Sequence, residues 1–246
     1  MNRVRYLLNF VVLLASLPVA HAANPNKLWE IVSQSCLPAF AAGHGAGQCR
    51  LVSSEGYALL KDKVGPAQYI LIPTIPVSGI ESPAVLQPGL LNYWRAAWDN
   101  RDWVGATLGR PLRDDEIGLA INSANSRTQQ QLHIHIDCLD PKVATVLATQ
   151  STTEPGRWND LTLKGHRYAV TRVAASSATS VNPFDLVLRR TVYQHQEMKD
   201  HTILMTATTG GFLIVDGHYQ PDGPDTNPGA AEELQDHSCR IASPLS

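Results

Sequence analysis

The chain has 246 residues, of which 43% are hydrophobic and 17% charged, and a formal net charge of −2. That length fits one domain of about 200 residues or two small fused ones. The mildly acidic balance excludes general adhesion to nucleic acid or to an anionic membrane, which needs a basic surface, so an anionic ligand must be met by a local site.

Residues 1–22 carry an export pattern. Arg3 and Arg5 precede an uncharged apolar run from Tyr6 to Ala20, and Ala20-His21-Ala22 is a small-x-small cleavage site. The run is short for a membrane span, which needs about 20 residues. It is expected to be a signal peptide or a signal anchor, and in both cases the globular part lies outside the cytoplasm. Losing these residues removes two arginines and no acids, leaving 18 basic against 22 acidic residues and a charge of −4.

A short helix is expected to start within Asn26–Val32, followed by the loop Gly43-His44-Gly45-Ala46-Gly47. No Lys-Ser/Thr and helix start follow that loop, so it reads as a flexible connection rather than a phosphate cradle. Gly56–Leu60 and Gln68–Ile72 read as strands around a turn holding Asp62, Gly65 and Pro66. Ser82-Pro83 caps a short helix, broken at Pro88-Gly89. Leu90–Leu108 is predicted to be one long helix, with Leu90, Trp94, Ala97, Trp98 and Val104 along its apolar stripe and Gly109 at its exit. Gly118–Asn122 is a strand, 123–128 a polar loop, and Leu132–Leu139 a second strand closed by Pro141.

Beyond residue 150, Arg167–Val173 reads as a strand, and Asn182-Pro183 caps a helix reaching about Tyr193. Ile203–Thr208 and Phe212–Asp216 form a hairpin around Thr209-Gly210-Gly211. A Pro/Gly/Asp-rich loop over 216–229 leads to a terminal helix, Ala230–His237, in which His237 reads as part of a helix cap. The whole predicts an α+β fold.

Cys36, Cys49, Cys138 and Cys239 agree with an oxidising compartment. Of three connectivities, the expected one joins Cys36 to Cys49 across the Gly-rich loop and leaves Cys138 to Cys239. No Cys-x-x-Cys spacing suggests zinc.

The octet Gln131-Leu-His-Ile-His-Ile-Asp-Cys138 carries the chemistry. As a strand it sends Gln131, His133, His135 and Asp137 to one face and Leu132, Ile134, Ile136 and Cys138 to the other. The apolar face can bury in a core while two imidazoles stand side by side over a cleft. Neutral imidazole can hold a metal or attack phosphorus near pH 7. As zinc ligands, His133 and His135 need a third ligand, and only Asp137, on the same short strand, is at hand.

The chain resembles the histidine triad superfamily, whose signature is three histidines separated by single hydrophobic residues on a strand. Pro66-Ala67-Gln68-Tyr69-Ile70-Leu71-Ile72-Pro73 is similar to that superfamily's strand ending in proline. Asn122 and Thr128 stand where its members often keep a polar phosphate or ribose contact. A closer resemblance is to the bacterial CDP-diacylglycerol pyrophosphatases. It is carried by Gly79-Ile80-Glu81-Ser82-Pro83, Ile121-Asn122-Ser123, Ser126-Arg127-Thr128-Gln129, the octet, and Leu234-Gln235-Asp236-His237-Ser238-Cys239. It spans roughly residues 27–241.

The resemblance implies a HIT-like antiparallel sheet with helices packed on it, with 23–150 as the core and 151–246 as a C-terminal α+β half completing the same domain. Superfamily members often dimerise, and the second half stands as a candidate for the partner's place. The resemblance further implies hydrolysis of CDP-diacylglycerol to CMP and phosphatidate, with His133 as nucleophile, His135 beside it, and Asn122, Arg127, Thr128 and Gln131 binding substrate. No cofactor or metal is implied. The partner is a lipid-linked nucleotide at a membrane, with no nucleic acid and no obligatory protein partner. The place is periplasmic, with the N-terminal segment either cleaved or anchoring the chain in the inner membrane. Two rivals remain open: a metal-dependent phosphohydrolase using His133 and His135 as ligands, and a non-catalytic nucleotide-binding protein. Gln131 departs from the pattern, standing where the first triad histidine belongs. Glutamine hydrogen-bonds but does not titrate, which leaves the proton source for the leaving group open. On this reading Gln131→His is expected to keep or raise the rate.

Overall fold

The computed structural model describes residues 24–242 except 88, 179, 224 and 225. The export segment at 1–22 and Pro88 lie outside the described residues. Nine strands form one sheet: β1 (Leu51–Ser53), β2 (Tyr57–Lys61), β3 (Tyr69–Pro73), β4 (Ile117–Ile121), β5 (Ile134–Cys138), β6 (Trp158–Leu163), β7 (His166–Ala174), β8 (His201–Thr208) and β9 (Gly211–His218). Their order is β1-β2-β3-β5-β4-β8-β9-β7-β6, and every neighbouring pair is antiparallel. The expected large antiparallel sheet with helices on it is present.

The order contains a repeat. From the β2 side toward the centre the strands run β2-β3-β5-β4, and from the opposite edge they run β6-β7-β9-β8. The two four-strand sets therefore share one arrangement and meet at the β4–β8 pairing. Cross-strand register places Leu60, Ile70, His135, Ala120, Leu204, Val215, Val170 and Asn159 in one row across the sheet. Cross-strand partners point the same way, so the row defines one face.

Three helices pack on the opposite face: α2 (Tyr93–Asp99), α3 (Asp102–Leu108) and α5 (Pro183–Gln194). Trp94, wholly buried, meets Phe184 edge-on with ring centroids 5.4 Å apart. The histidine face is covered over its first half by α1, a continuous helix of Lys27–Ile31, a π-turn Val32–Cys36, and Leu37–Ala41. Over its second half lies α4 (Pro141–Ala148), whose Val143 and Leu147 meet Leu204, Val215 and Val170.

Most expected elements are found, with three corrections. The helix expected over 90–108 is two helices. Asn92 starts the first by accepting from the Trp94 and Arg95 amides, and the chain turns at Asn100-Arg101 before the second. Gly109, at φ 72°, ends it in the left-handed conformation expected. Pro141 does not merely close a strand: Asp140 accepts from the Lys142 and Val143 amides and Pro141 begins α4. The terminal helix is a single turn, Ala231–Leu234, after which the chain extends and bridges Leu139 through Gln235. Helix there would break the bonds that the Asp236 amide makes to the Cys138 carbonyl and the Gln235 side chain makes to the Gly118 carbonyl. Both expected disulfides, Cys36–Cys49 and Cys138–Cys239, are formed. They agree with an oxidising compartment.

Candidate active site

β5 sorts its side chains as alternation dictates. Leu132, Ile134, Ile136 and Cys138 join the main core, and His133 and His135 face the other way. The strand itself starts at Ile134, so His133 sits just before it, tied by the Leu132 amide bonding the Val77 carbonyl. The two imidazoles lie 4.9 Å apart, centroid to centroid.

They line a cavity of about 540 Å³, within the range of small-ligand sites. Asn122, Thr128 and Glu232 line it with polar groups and Leu28, Ile31, Leu60 and Ile70 with apolar ones, and Lys27, Lys61 and Lys63 also border it. The roof is α1, latched to the loop after β4. There Gln129 accepts from the Leu28 amide and donates to the Asn24 carbonyl, and the Gln130 amide bonds the Pro25 carbonyl.

The ring nitrogens of His133 have separate tasks. Nδ1–H donates to the Gln131 carbonyl at 2.7 Å, which fixes the tautomer and leaves the Nε2 lone pair without a hydrogen-bond partner among the described residues. Burial, reinforced by the neighbouring His135, lowers the pKa to about 4, so the ring is neutral at pH 7. His135 is also held below its ordinary value, by burial above all, against the pull of Glu232 and Asp62. Its Nδ1 meets Gln68 Nε2 at 2.6 Å and Glu232 Oε1 at 3.3 Å. Gln68 Nε2 also lies 3.3 Å from Glu232 Oε1. An amide donating to both places the His135 proton on Nε2, which is buried and has no protein partner.

Glu232 is the principal group that reading the sequence missed. Burial alone would raise its carboxyl. His135, the bonds from Asn122 and Gln68, and His237 together hold it below the ordinary value. Asn122 clasps it twice, donating from Nδ2 to Oε2 at 3.0 Å and accepting the Glu232 amide on Oδ1 at 3.2 Å. Glu232 arrives on the C-terminal segment, which the Cys138–Cys239 disulfide ties to β5. The same segment carries His237, whose Nδ1 bonds the buried Asp137 at 2.8 Å and whose Nε2 lies 3.6 Å from Glu232 Oε1. The bond to Asp137 raises the His237 pKa, and burial raises that of Asp137. The expected disulfide was the one signal that could have found Glu232, because it pins residues near Cys239 to the histidine strand.

Two expected substrate contacts are not brought to the cavity. Arg127 makes a two-pronged ion pair with Glu81, at 2.6 and 2.8 Å, and its side chain is buried. Gly79 belongs to the same brace, since a Cβ there would collide with the Arg127 guanidinium. Gln131 has all of its amide in use. It donates to the Pro73 and Ile75 carbonyls and accepts from the Val77 amide. It works as a clamp between the exit of β3 and β5. Asn122, Thr128, His133 and His135 are brought together.

Glu232 stands 3.3 Å from His135 in the same cavity, but among the described residues it does not close a tight three-ligand cluster with both histidines. The one compact trio of such groups is Asp137, Cys138 and Cys239. Its two sulfurs are bonded to each other, so no thiolate is available there.

A family model described as CDP-diacylglycerol pyrophosphatase matches residues 23–243. The chain belongs to that family, and is a hydrolase. A relative from Yersinia pestis named CDP-diacylglycerol pyrophosphatase is 38% identical over 245 residues, covering 96% of this chain and 94% of the relative. The match spans the octet, the Asn122 loop and the C-terminal segment alike. No helix among the described residues is long and apolar enough to cross a membrane.

Proposed function

We propose that this hydrolase cleaves CDP-diacylglycerol to CMP and phosphatidate through a cytidylyl-His133 intermediate. The observation that carries the reading is the split role of His133. Its Nδ1–H is held by the Gln131 carbonyl while a neutral, unpartnered Nε2 lines the cavity. Nε2 attacks the phosphorus bearing cytidine. The Nε2–P bond forms as the bond from that phosphorus to the bridging oxygen breaks, and phosphatidate leaves with its own phosphate. The adduct is an imidazolium whose charge the Nδ1–H to carbonyl bond stabilises. Water then forms the new P–O bond, the Nε2–P bond breaks, and CMP departs with His133 neutral again. One difficult displacement becomes two easier ones.

Charge on the five-coordinate phosphorus needs donors already in place. The Nε2–H of His135, the Thr128 hydroxyl and the second amide hydrogen of Asn122 are those the cavity offers. The family and the relative's name support the substrate. The apolar run at 6–20, followed by α1 over the cavity, supports an exported protein working beside the periplasmic face of the inner membrane, with that run as leader or tether.

Hydrolysis in ¹⁸O-water tests the direction of attack. Label in CMP and none in phosphatidate is expected, and label in phosphatidate would overturn it. Full activity after exhaustive chelation is expected as well. Loss of activity restored by a divalent metal would favour the rival in which His133 and His135 are ligands.

A further inference from the structure

Gln131 leaves the proposed chemistry without a titratable group at the first triad position, and its amide is fully engaged elsewhere. The C-terminal segment brings titratable groups to the opposite side of His135. From the cavity outward, His135 Nε2 has no protein partner, and His135 Nδ1 is 3.3 Å from Glu232 Oε1. That oxygen is 3.6 Å from His237 Nε2, and His237 Nδ1 is bonded to Asp137 at 2.8 Å. The His237 side chain is 33% exposed, so the line ends at solvent. We propose that Glu232 and His237, backed by Asp137, relay a proton between solvent and His135 and so supply the acid–base function that Gln131 cannot. This rests on the phosphoryl-transfer reading above.

The protons balance over a cycle. As phosphatidate departs, its leaving oxygen takes the proton from His135 Nε2. As Nε2 gives up its proton, His135 Nδ1 gains one through Glu232 from His237 Nε2, so no imidazolate forms. When water attacks the cytidylyl phosphorus, its proton passes to His135 Nε2, and the Nδ1 proton returns through Glu232 to His237. The buried Asp137 carboxylate holds the His237 ring and stabilises its charged form. Besides Asp137, the charged and titratable groups facing His237 are Glu232 on the single-turn helix, His135 on β5 and Asp62 on the β2–β3 turn. Gln68 suits this cycle. Its amide nitrogen faces a neutral Nδ1, its Oε1 is buried without a partner, and turning the amide over would let it accept from a protonated Nδ1.

The test is a cycle of His237→Asn, Glu232→Gln and the double variant, in the full chain, with CDP-diacylglycerol as substrate. Asparagine keeps a donor for Asp137 and removes the titratable ring. General acid–base groups contribute roughly 10²–10⁴-fold, so each single variant is expected to lose about 10²-fold in kcat with KM within about twofold. The double variant is expected to be no worse than the poorer single, because links of one relay fail together. The fall of kcat on the alkaline side, set by deprotonation of His237, is expected to vanish in His237→Asn. Wild-type kcat in either single variant, or losses that multiply in the double, would overturn the relay. Should His237→Asn not fold, the alkaline limb in Glu232→Gln decides: its disappearance supports the relay, and its persistence with unchanged kcat overturns it. If the wild type forms no cytidylyl adduct, the underlying phosphoryl-transfer reading fails instead, and the two failures are thereby distinguished.

Discussion

The two four-strand sets of the sheet share one arrangement and do different work. In the row that crosses the sheet, β5 presents His135 and β9, its counterpart in strand order, presents Val215. Around His135 the face opens into a cavity, whereas around Val215 it is sealed by Val143 and Leu147 of α4. Each set also carries a buried aspartate bonded to a histidine. His237–Asp137 adjoins Glu232 and the cavity. His201–Asp216, at 2.7 Å, lies on the other face, and Arg190 closes it with a second bond to Asp216 at 2.6 Å. The same backbone plan thus supports chemistry in one set and packing in the other. What differs is the side chains at the start of one strand and the C-terminal segment clamped beside it.

The largest expected effect falls on His133. His133→Ala is expected to lower kcat on the order of 10⁴-fold or more while leaving the thermal transition nearly in place. Measurable turnover near wild type would break the contrast between the two sets. Asp216→Ala should do the reverse. Leaving His201 and Arg190 uncompensated in the interior is expected to cost about 3–5 kcal/mol in a denaturant titration, with kcat of the folded protein unchanged. A fall in kcat without loss of stability would show that the second set takes part in the reaction.

Gln131→His sharpens the comparison at the odd position. Replacing the amide is now expected to cost about 1–3 kcal/mol, because backbone groups at Pro73, Ile75 and Val77 lose partners that an imidazole cannot all replace. No gain in rate is expected. A faster enzyme of equal stability would show that an imidazole at this position can take part in the reaction without loss of the clamp.

The smallest effect is on pH dependence. With the His133 pKa lowered to about 4, kcat/KM should stay level on the acid side until about pH 4 and then fall roughly tenfold per unit as Nε2 is protonated. The same shift affects folding. Between an unfolded value of about 6.5 and about 4 the unfolded chain takes up a proton that native His133 refuses. Stability therefore declines as pH falls through that window. An acid limb near pH 6.5 would mean that the ring is not desolvated.

The strand bearing the histidines, its apolar partners, both disulfides and the nearness of Asn122 and Thr128 were legible in the sequence. Alternation and turn residues are local signals, and they fix which side chains share a face. The start of the first of the two helices was written in the cap at Asn92, and α4 in the Asp140-Pro141 pair, but nothing local marked the turn at Asn100-Arg101, and a proline after a strand reads as readily as a stop. The charge of Arg127 is local information and points to a phosphate, whereas its partner Glu81 lies 46 residues away. Glu232 was hidden for a similar reason, being brought to His135 by tertiary contacts, with the Cys138–Cys239 bond as the one pointer to its neighbourhood.

The central claim is the covalent intermediate on His133. Protein mixed with CDP-diacylglycerol, quenched in alkali within one turnover and digested, should yield a peptide containing His133 with one cytidylyl group added, and none from His133→Ala. An adduct on His135, or a burst of CMP with no cytidylylated peptide at any time, would contradict it.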